Sequence, residues 1–353
     1  VKLESSPGCP YALLGTTNEI FFQRAGDLFE DLVLDRIEAR LRFSKQIKNL
    51  TRKQRVELNL LDPVRVFVKN EPHKVEKIKE GRFRLIHSVS IVDKMIEMLL
   101  HYHLHKIEIS NWRSIPSKPG IGFTENDNQL LFEQINSKHI SGDKQMSTDV
   151  SGWDWTVKKW MLEDLALATI ALCDNPSSDW TTLVLLEPEL ESQSIYQFSD
   201  GLLVSPVYSG IVNSGKYKTS RGNSWMRAYL GILIGCKTIM TAGDDSVESF
   251  VEDAAAKYGT LGFKLKAYIP MSEGYDFCSR WYQDQQSWPL NANKMLMNLL
   301  HTEPKTDKEA LTYLLQFTDN MQDHPEFEAY SKIIERVFVP DLLGFGGGSN
   351  NLQ

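Results

Sequence analysis

The chemistry of this chain is carried by carboxylates in a fixed order. Asp149 and Asp154 lie in Ser147-Thr-Asp-Val-Ser-Gly-Trp-Asp-Trp155, and Gly243-Asp244-Asp245 follows further along. Acidic side chains delivered by separate strands are what a pair of Mg2+ ions needs to hold a nucleoside triphosphate for in-line phosphoryl transfer. The arrangement implies a nucleotidyl transferase. Taken singly, each aspartate has a plainer use, because turns and helix caps are where Asp is commonest. The apolar, β-prone stretch from Ala228 to Thr241 breaks at Gly243 and resumes over Ser246 to Phe250, which predicts a hairpin with Asp244 and Asp245 in its turn. Asp149 precedes Val150 and a helix-like run from Trp160 to Cys173, so it is expected to end a strand beside that hairpin. Two strand ends at one edge bring Asp149, Asp244 and Asp245 within reach of a shared metal.

A third element narrows the substrate. Ser214-Gly-Lys-Tyr-Lys-Thr-Ser-Arg-Gly-Asn223 joins a Ser-Gly turn to the helix-like Ser224-Trp-Met-Arg-Ala-Tyr-Leu230. Thr219 and Asn223 stand at i, i+4 and share a helical face, with Ser214 on the loop leading to it. Small hydroxyl and amide groups so placed can bind a ribose by its 2′-OH, the group that separates RNA precursors from DNA precursors.

With these residues in hand, the chain resembles the RNA-dependent RNA polymerases of positive-strand RNA viruses, most closely the sobemovirus, polerovirus and barnavirus group. Asp149-Val-Ser-Gly-Trp-Asp154 is similar to polymerase motif A, Ser214 to Asn223 to motif B, and Gly243-Asp244-Asp245 to motif C. Phe277-Cys278-Ser279 resembles motif E, which grips the primer end, so the resemblance gives Cys278 and Ser279 an RNA-binding role. Ser5-Ser-Pro-Gly-Cys-Pro-Tyr11 resembles motif G at the template entrance, which implies RNA contacts for Ser6 and Gly8, although Cys9 stands where the family more often has Tyr. The basic segment Val68 to Ile86 resembles motif F. Charge runs are usually solvated faces, but the place of this one ahead of the aspartates matches a channel that offsets a triphosphate. The resemblance turns Lys77, Arg82 and Arg84 toward the triphosphate and Lys69 toward RNA. Arg84 can bond phosphate and stack through one planar group.

The resemblance implies an α+β fold in the form of a right hand, with fingers, a palm of antiparallel sheet flanked by helices, and a helical thumb. Its expected limits are fingers at 1–90, palm at 91–177, a return to the fingers at 178–207, palm again at 208–285, and thumb with a flexible tail at 286–353. Asp149, Asp244 and Asp245 would hold Mg2+, with Mn2+ able to substitute. Asp154, Ser214 and Asn223 would meet the ribose, supported by Thr219. By analogy with motif D, a lysine in the helix-then-strand segment Val251 to Ala267 would protonate pyrophosphate, Lys266 or Lys264. Expected partners are an RNA template and primer, rNTPs, a genome-linked viral protein as primer, and other viral replication proteins. The implied location is the host cell cytoplasm, at membrane-associated replication complexes reached through those partners. A reverse transcriptase uses the same metal logic but generally blocks the 2′-OH near the position of Asp154. In a non-catalytic RNA-binding subunit the aspartates would be structural, and Trp153, Trp155 and Phe83 would be stacking platforms rather than core.

Composition agrees. A chain of 353 residues with 42% hydrophobic content can bury a large core and form more than one lobe. Its 39 Lys and Arg against 46 Asp and Glu give a formal charge of −7, which argues against an RNA coat protein and suits a polymerase whose positive charge lies only in its channel. Cys9, Cys173, Cys236 and Cys278 are scattered, as reduced thiols would be, and show no zinc spacing. His101, His103 and His105 alternate along a helix-like run and so cannot share one face. No run approaches the roughly 18 apolar residues of a membrane span. The absence of an initiator Met and the early position of the Ser5 to Tyr11 segment suggest a processing boundary at Val1 and a short N-terminal extension.

The elements that must position these groups follow from periodicity. Phe21 to Leu50 reads as helix-rich and amphipathic, and the cations after it (Lys45, Lys48, Arg52, Lys53 and Arg55) read as a solvated face. Asp93 to Ile107 reads as a palm helix, Lys118 to Thr124 as a glycine turn too sparse for a phosphate loop, and Asp127 to Ile135 as the helix after it. Asn291 to Leu300 and Lys308 to Phe317 carry apolar residues at helical spacing, and Gly344 to Asn350 reads as a flexible tail.

Overall fold

The fold is known from a computed structural model that describes residues 2–119, 121–122, 124–140, 144–271, 274–283 and 286–342. The glycine-rich tail lies outside these residues, as do Gly120 and Phe123 of the glycine turn. In chain order the strands are β1 (Val64–Val68), β2 (Leu85–Ser88), β3 (Gln145–Val150), β4 (Tyr196–Gln197), β5 (Leu203–Val204), β6 (Ile239–Ala242), β7 (Asp245–Ser249), β8 (Leu265–Pro270), β9 (Tyr275–Phe277), β10 (Arg280–Gln283) and β11 (Gln286–Pro289). They form three sheets, ordered β6-β7-β3-β8, β2-β1-β4-β5 and β11-β10-β9.

The first sheet is antiparallel throughout and positions the carboxylates. Side chains on a strand alternate between faces. On β3, Met146, Thr148 and Val150 are buried while Ser147 and Asp149 are half-buried on the opposite face. Under the Val150 face lies a core of Met161, Leu165, Met226, Leu230 and Tyr258, supplied by helices Lys159–Ala171, Thr219–Ile234 and Ala254–Thr260. Val247, which pairs with Ser147, packs on the other face against Leu131 and Ile135 of helix Glu125–Ile140 and against Tyr275, Phe277 and Tyr282 of the β9-β10 hairpin. The antiparallel sheet between helices is the expected α+β polymerase palm.

The helices begin where their caps dictate. Ser90 accepts from the Asp93 N–H at 3.2 Å and opens helix Ile91–Ser110, whose Ile91, Val92, Ile96 and Leu100 are buried. Helix Thr219–Ile234 takes in the first seven residues, Ala228 to Ile234, of the stretch expected to be β-prone. Arg227, Leu230, Gly231 and Ile234 are buried at i, i+3, i+4 and i+7, so packing on the sheet overrides β propensity there. Gly235, at φ 102°, takes the left-handed conformation that ends the helix, and β6 starts only at Ile239. In the cationic run after the first helices, Lys45, Lys48 and Lys53 are exposed as a solvated face requires, but Arg52 and Arg55 turn inward. Arg55 is buried and its Nη2 donates to Glu189 Oε1 at 2.8 Å, while Arg52 Nη2 donates to the Pro206 carbonyl.

β1 and β2 form an antiparallel pair, and the 178–207 region adds β4, parallel to β1, and then β5. Helix Ser178–Glu191 packs against helices Phe29–Arg42 and Lys159–Ala171. Near the C-terminus, helices Ala292–Leu300, Asp307–Met321 and Phe327–Leu342 gather around Leu296, Leu299, Leu314, Phe317 and Tyr330.

A fully buried ion pair locks helix Thr219–Ile234 to β7. Arg227 Nη2 lies 3.1 Å from Glu248 Oε2, and the Tyr258 hydroxyl stands within 2.9 Å of both Glu248 oxygens and 2.8 Å of Arg227 Nη1. Removing one partner strands the other charge in the core. Glu248→Ala is therefore expected to cost about 3–5 kcal/mol of stability in denaturant unfolding; a loss below about 1 kcal/mol would mean the pair does not carry this junction.

Candidate active site

The site is built on the β6-β7 hairpin. Ala242 pairs with Asp245, so Gly243 and Asp244 alone make the turn and Asp245 already opens β7. This differs from the expected placement of both aspartates in the turn, because the pairing runs one residue closer to the tip. Gly243 has φ 67°, a value that tight hairpins need at the first turn position and that glycine adopts freely. Ser224 ties the turn to the helix behind it. Its Oγ accepts from the Gly243 N–H at 2.8 Å, and the Thr241 hydroxyl donates to its carbonyl at 2.8 Å.

β3 carries Asp149 to the same edge. Thr148 pairs with Ser246, so Asp149 and Asp245 stand at neighbouring positions on adjacent strands. On the other side Asp149 pairs with Ala267 and Val150 with Leu265, which leaves Lys266 as the extra residue of a β-bulge. Bulges re-aim side chains, and here the Lys266 ammonium donates to Asp149 Oδ2. That contact raises the lysine pKa. Lys264 contributes its carbonyl to the Ser151 N–H.

The carboxylates repel one another. Desolvation, then the charge of Asp149, raises Asp244, and desolvation and Asp244 together raise Asp154. Asp276 on β9, absent from the residues picked out by sequence, belongs to the same field: burial raises its pKa, as does the charge of Asp149. Among the described residues, no three or more His, Cys, Asp or Glu side chains already close into a metal cage, and Lys266 sits on Asp149 instead. The donor set nevertheless fits a divalent cation, since crowded carboxylates raised by mutual repulsion are what such a charge would relieve.

Beside the carboxylates opens a cleft of about 370 Å³ lined by Lys69, Phe83, Arg84, His87, Asp154, Trp155, Ser214 and Gly215, within the size range of small-ligand sites. Asp154 sits in the short helical turn Trp153–Thr156 after Gly152. Asn223 Nδ2 reaches Asp154 Oδ1 at 3.4 Å, and its buried Oδ1 has no partner. Ser214 is exposed, and its Oγ accepts from the His87 N–H at 3.3 Å. The Thr219 hydroxyl is turned inward, donating to the Asn213 carbonyl at 2.8 Å, so it shapes the loop. Trp155 and Phe83 are exposed on the cleft wall, whereas Trp153 is core, stacked on Phe263.

Other residues singled out by sequence lie apart from this cleft. Lys77 is exposed on the helix Val75–Lys79, and Arg82 is exposed and paired with Glu80. Ser6 accepts from the Gly8 N–H at 3.2 Å, and Gly8 is buried, with φ 74° and a Cβ position only 2.6 Å from the Val89 carbonyl oxygen. Cys278 and Ser279 form the β9-β10 turn with φ 56° and 58°. Lys69, which does line the cleft, pairs with Glu71, which also receives Lys294 at 3.1 Å. His87, Glu71, Ser224 and Asp276 were not visible to pattern reading, because each acquires its role only from residues distant in sequence.

An antiparallel sheet that presents paired strand-end aspartates beside a cation-lined cleft is the arrangement of the polymerase palm class. A family model described as Viral RNA-directed RNA-polymerase matches residues 31–172 and 191–279, and the chain belongs to that family. That family is one of RNA-directed RNA polymerases, which are nucleotidyltransferases, and membership in it favours neither the reverse transcriptase nor the binding-subunit reading. The chain is 35% identical to the replicase polyprotein P2AB of Southern cowpea mosaic virus over 87% of its own length and 32% of the relative's. It is 32% identical to the protein P1-P2 of Potato leafroll virus over 85% of its length and 29% of that protein's. It thus spans about a third of the length of these curated relatives. Among solved structures, the Sicinivirus 3Dpol RNA dependent RNA polymerase has a similar fold, with a TM-score of 0.64 at 14% identity over 95% of this chain and 77% of that one. The RNA-dependent RNA polymerase of a human picorbirnavirus, as an insertion loop deletion mutant, gives 0.64 at 13% identity over 81% and 59%. Membership in the family implies use of a divalent cation in general terms.

The crowding makes a pH prediction. Burial, then the charges of Asp244, Asp276 and Asp149, push Asp245 from the ordinary 3.8 up to about 7. A carboxyl that holds its proton more tightly when folded adds stability that is full below pH 3.8 and lost as pH climbs to about 7. In metal-free protein, Asp245→Asn should therefore gain thermal stability relative to the parent as pH rises from about 4 to 7. A difference that stays flat across that window would contradict the charge crowding.

Proposed function

We propose that this chain copies an RNA template by joining rNTPs to an RNA 3′-OH, as the polymerase part of the replication machinery of a positive-strand RNA virus. The observation that carries this reading is the adjacency of the Asp149, Asp244 and Asp245 edge to a cleft lined by Arg84, Asp154 and Ser214.

Asp149 and Asp244 would hold Mg2+, or Mn2+ in its place, with Asp245 assisting. Bound there, the cations would lower the pKa of the attacking 3′-OH and offset charge on the pyrophosphate. The protein's own groups do the rest. Arg84 faces the triphosphate with a planar, always charged fork. Asp154, Ser214 and Asn223 meet the ribose 2′-OH, and the unpartnered Asn223 Oδ1 is a ready acceptor for it. Lys266, or Lys264 in its stead, would deliver a proton to the leaving pyrophosphate, and the contact of Lys266 with Asp149 supports the first choice. Residues 1–90 and 178–207 would act as fingers, 91–177 and 208–285 as palm, and 286–353 as thumb and tail. A genome-linked viral protein would serve as primer, and other viral replication proteins would bring the chain to membrane-associated complexes in the host cytoplasm. Among the described residues no helix is long and apolar enough to cross a membrane.

Primer extension on a short RNA template with labelled rNTPs, Mg2+ or Mn2+, and Asp244→Ala as control tests the reading. Template-directed extension by the parent is expected, with a loss of about a thousandfold or more in Asp244→Ala and RNA binding retained. Equal loss of synthesis and RNA binding would refute a catalytic role for Asp244. Incorporation of dNTPs as readily as rNTPs would refute the ribose assignment.

A further inference from the structure

The loop that carries Ser214 is fixed from behind by lysines that the mechanism does not use. Lys216 Nζ lies 3.0 Å from Glu97 Oε1 and 3.1 Å from Glu191 Oε2. Lys218 Nζ donates to Glu187 Oε2 at 2.8 Å and lies 3.6 Å from Glu191 Oε2. Between them the Tyr217 N–H donates to Glu97 Oε2 at 2.9 Å. Glu97 stands on helix Ile91–Ser110 and the other two carboxylates on helix Ser178–Glu191, so one short loop is gripped from two directions.

These charges are almost out of water. The side chains of Lys216 and Lys218 are 13% and 9% exposed, and those of Glu187 and Glu191 are 4% and 2%. Burial works against the Lys216 charge, but Glu191 and Glu97 overcome it and hold its pKa above the ordinary lysine value. Glu187 and Glu191 do the same for Lys218. Buried ion pairs are a weak means of stabilising a fold, because desolvation offsets their attraction. What they do confer is fixed geometry, since a charge inside such a cage has one low-energy position. Ser214 needs that help. It is exposed, and its contacts with His87 are 3.3–3.4 Å long, so its place is set by the loop rather than by its own bonds.

We propose that Lys216 and Lys218 are positioning residues for sugar selection: by closing on Glu97, Glu187 and Glu191 they hold the loop in the shape that presents Ser214 to a ribose 2′-OH before the nucleotide arrives. Preference for ribonucleotides is then built into the free chain. This rests on the reading of Asp154, Ser214 and Asn223 as ribose-binding groups.

The test measures kcat and KM for single rNTP and dNTP additions by the parent, Lys216→Met, Lys216→Arg and the paired Lys216→Met/Glu97→Gln. The paired variant removes one charge from each side and leaves Glu191 its contact with Lys218 at 3.6 Å, so it strands less buried charge than Lys216→Met alone and should fold where the single variant does not. The parent is expected to prefer rNTP, and the paired variant to lower the rNTP-to-dNTP ratio of kcat/KM by about tenfold or more, chiefly through a higher rNTP KM. Lys216→Arg should recover part of the ratio. An unchanged ratio in the folded paired variant overturns the proposal. A parent with no preference for rNTP sinks the ribose reading itself, and the proposal with it. Hydrogen exchange of the parent needs no variant: the Tyr217 amide should be as protected without nucleotide as with it. Rapid exchange that slows only when rNTP and Mn2+ are added overturns preorganisation.

Discussion

Like charges gathered at one sheet edge repel, and much of this structure serves to hold Asp149, Asp244 and Asp245 together against that repulsion. Antiparallel pairing of β3 with β7 fixes Asp149 beside Asp245, and the two-residue turn leaves Asp244 no freedom to move away. Hydrogen bonds donated to Ser224 by Gly243 and Thr241 clamp the turn, and the buried Arg227, Glu248 and Tyr258 cluster clamps the strand below it. Burial first, and then the retained repulsion, raise the carboxyl pKa values of Asp244, Asp245 and Asp154. A site that stores such strain is poised for a cation, which explains why the chain tolerates the arrangement.

The positive side of the site is organised differently. Arg84 and Lys69 line the cleft, but Glu71 stands close to both and is held at a pKa of about 2, burial opposing and its lysine partners Lys69 and Lys294 prevailing. Lys294 comes from helix Ala292–Leu300, so one carboxylate links the basic segment to the C-terminal helices. The positive charge of the cleft is therefore only partly offset by Glu71, which leaves a local basic strip in a chain of net charge −7.

Much of this was legible in the sequence, for reasons that can be stated residue by residue. The aspartates and the Ser214 to Asn223 element announced themselves because metal and ribose chemistry demand particular side chains in a particular order. Glycine at 243 marked the hairpin because few residues accept its φ. The segment Ala228 to Ile234 misled because Leu and Ile suit strands as well as helices, and only packing on the sheet decided between them. Arg55 looked solvated because nothing local reveals Glu189. Lys77 and Arg82, given a triphosphate role by resemblance, lie apart from the cleft that Arg84 lines. Asp276, His87 and the carboxylates around Lys216 were invisible because their neighbours are distant in the chain.

The central proposal is that Asp149 and Asp244 take up a divalent cation without substrate, the cation displacing Lys266 from Asp149. Electron paramagnetic resonance of free Mn2+, titrated with the parent, Asp149→Asn and Asp244→Asn, tests it without requiring turnover. The account predicts saturable Mn2+ binding by the parent, weakened by about tenfold or more in each variant. Equal binding by all three proteins would place the cation elsewhere and contradict the account.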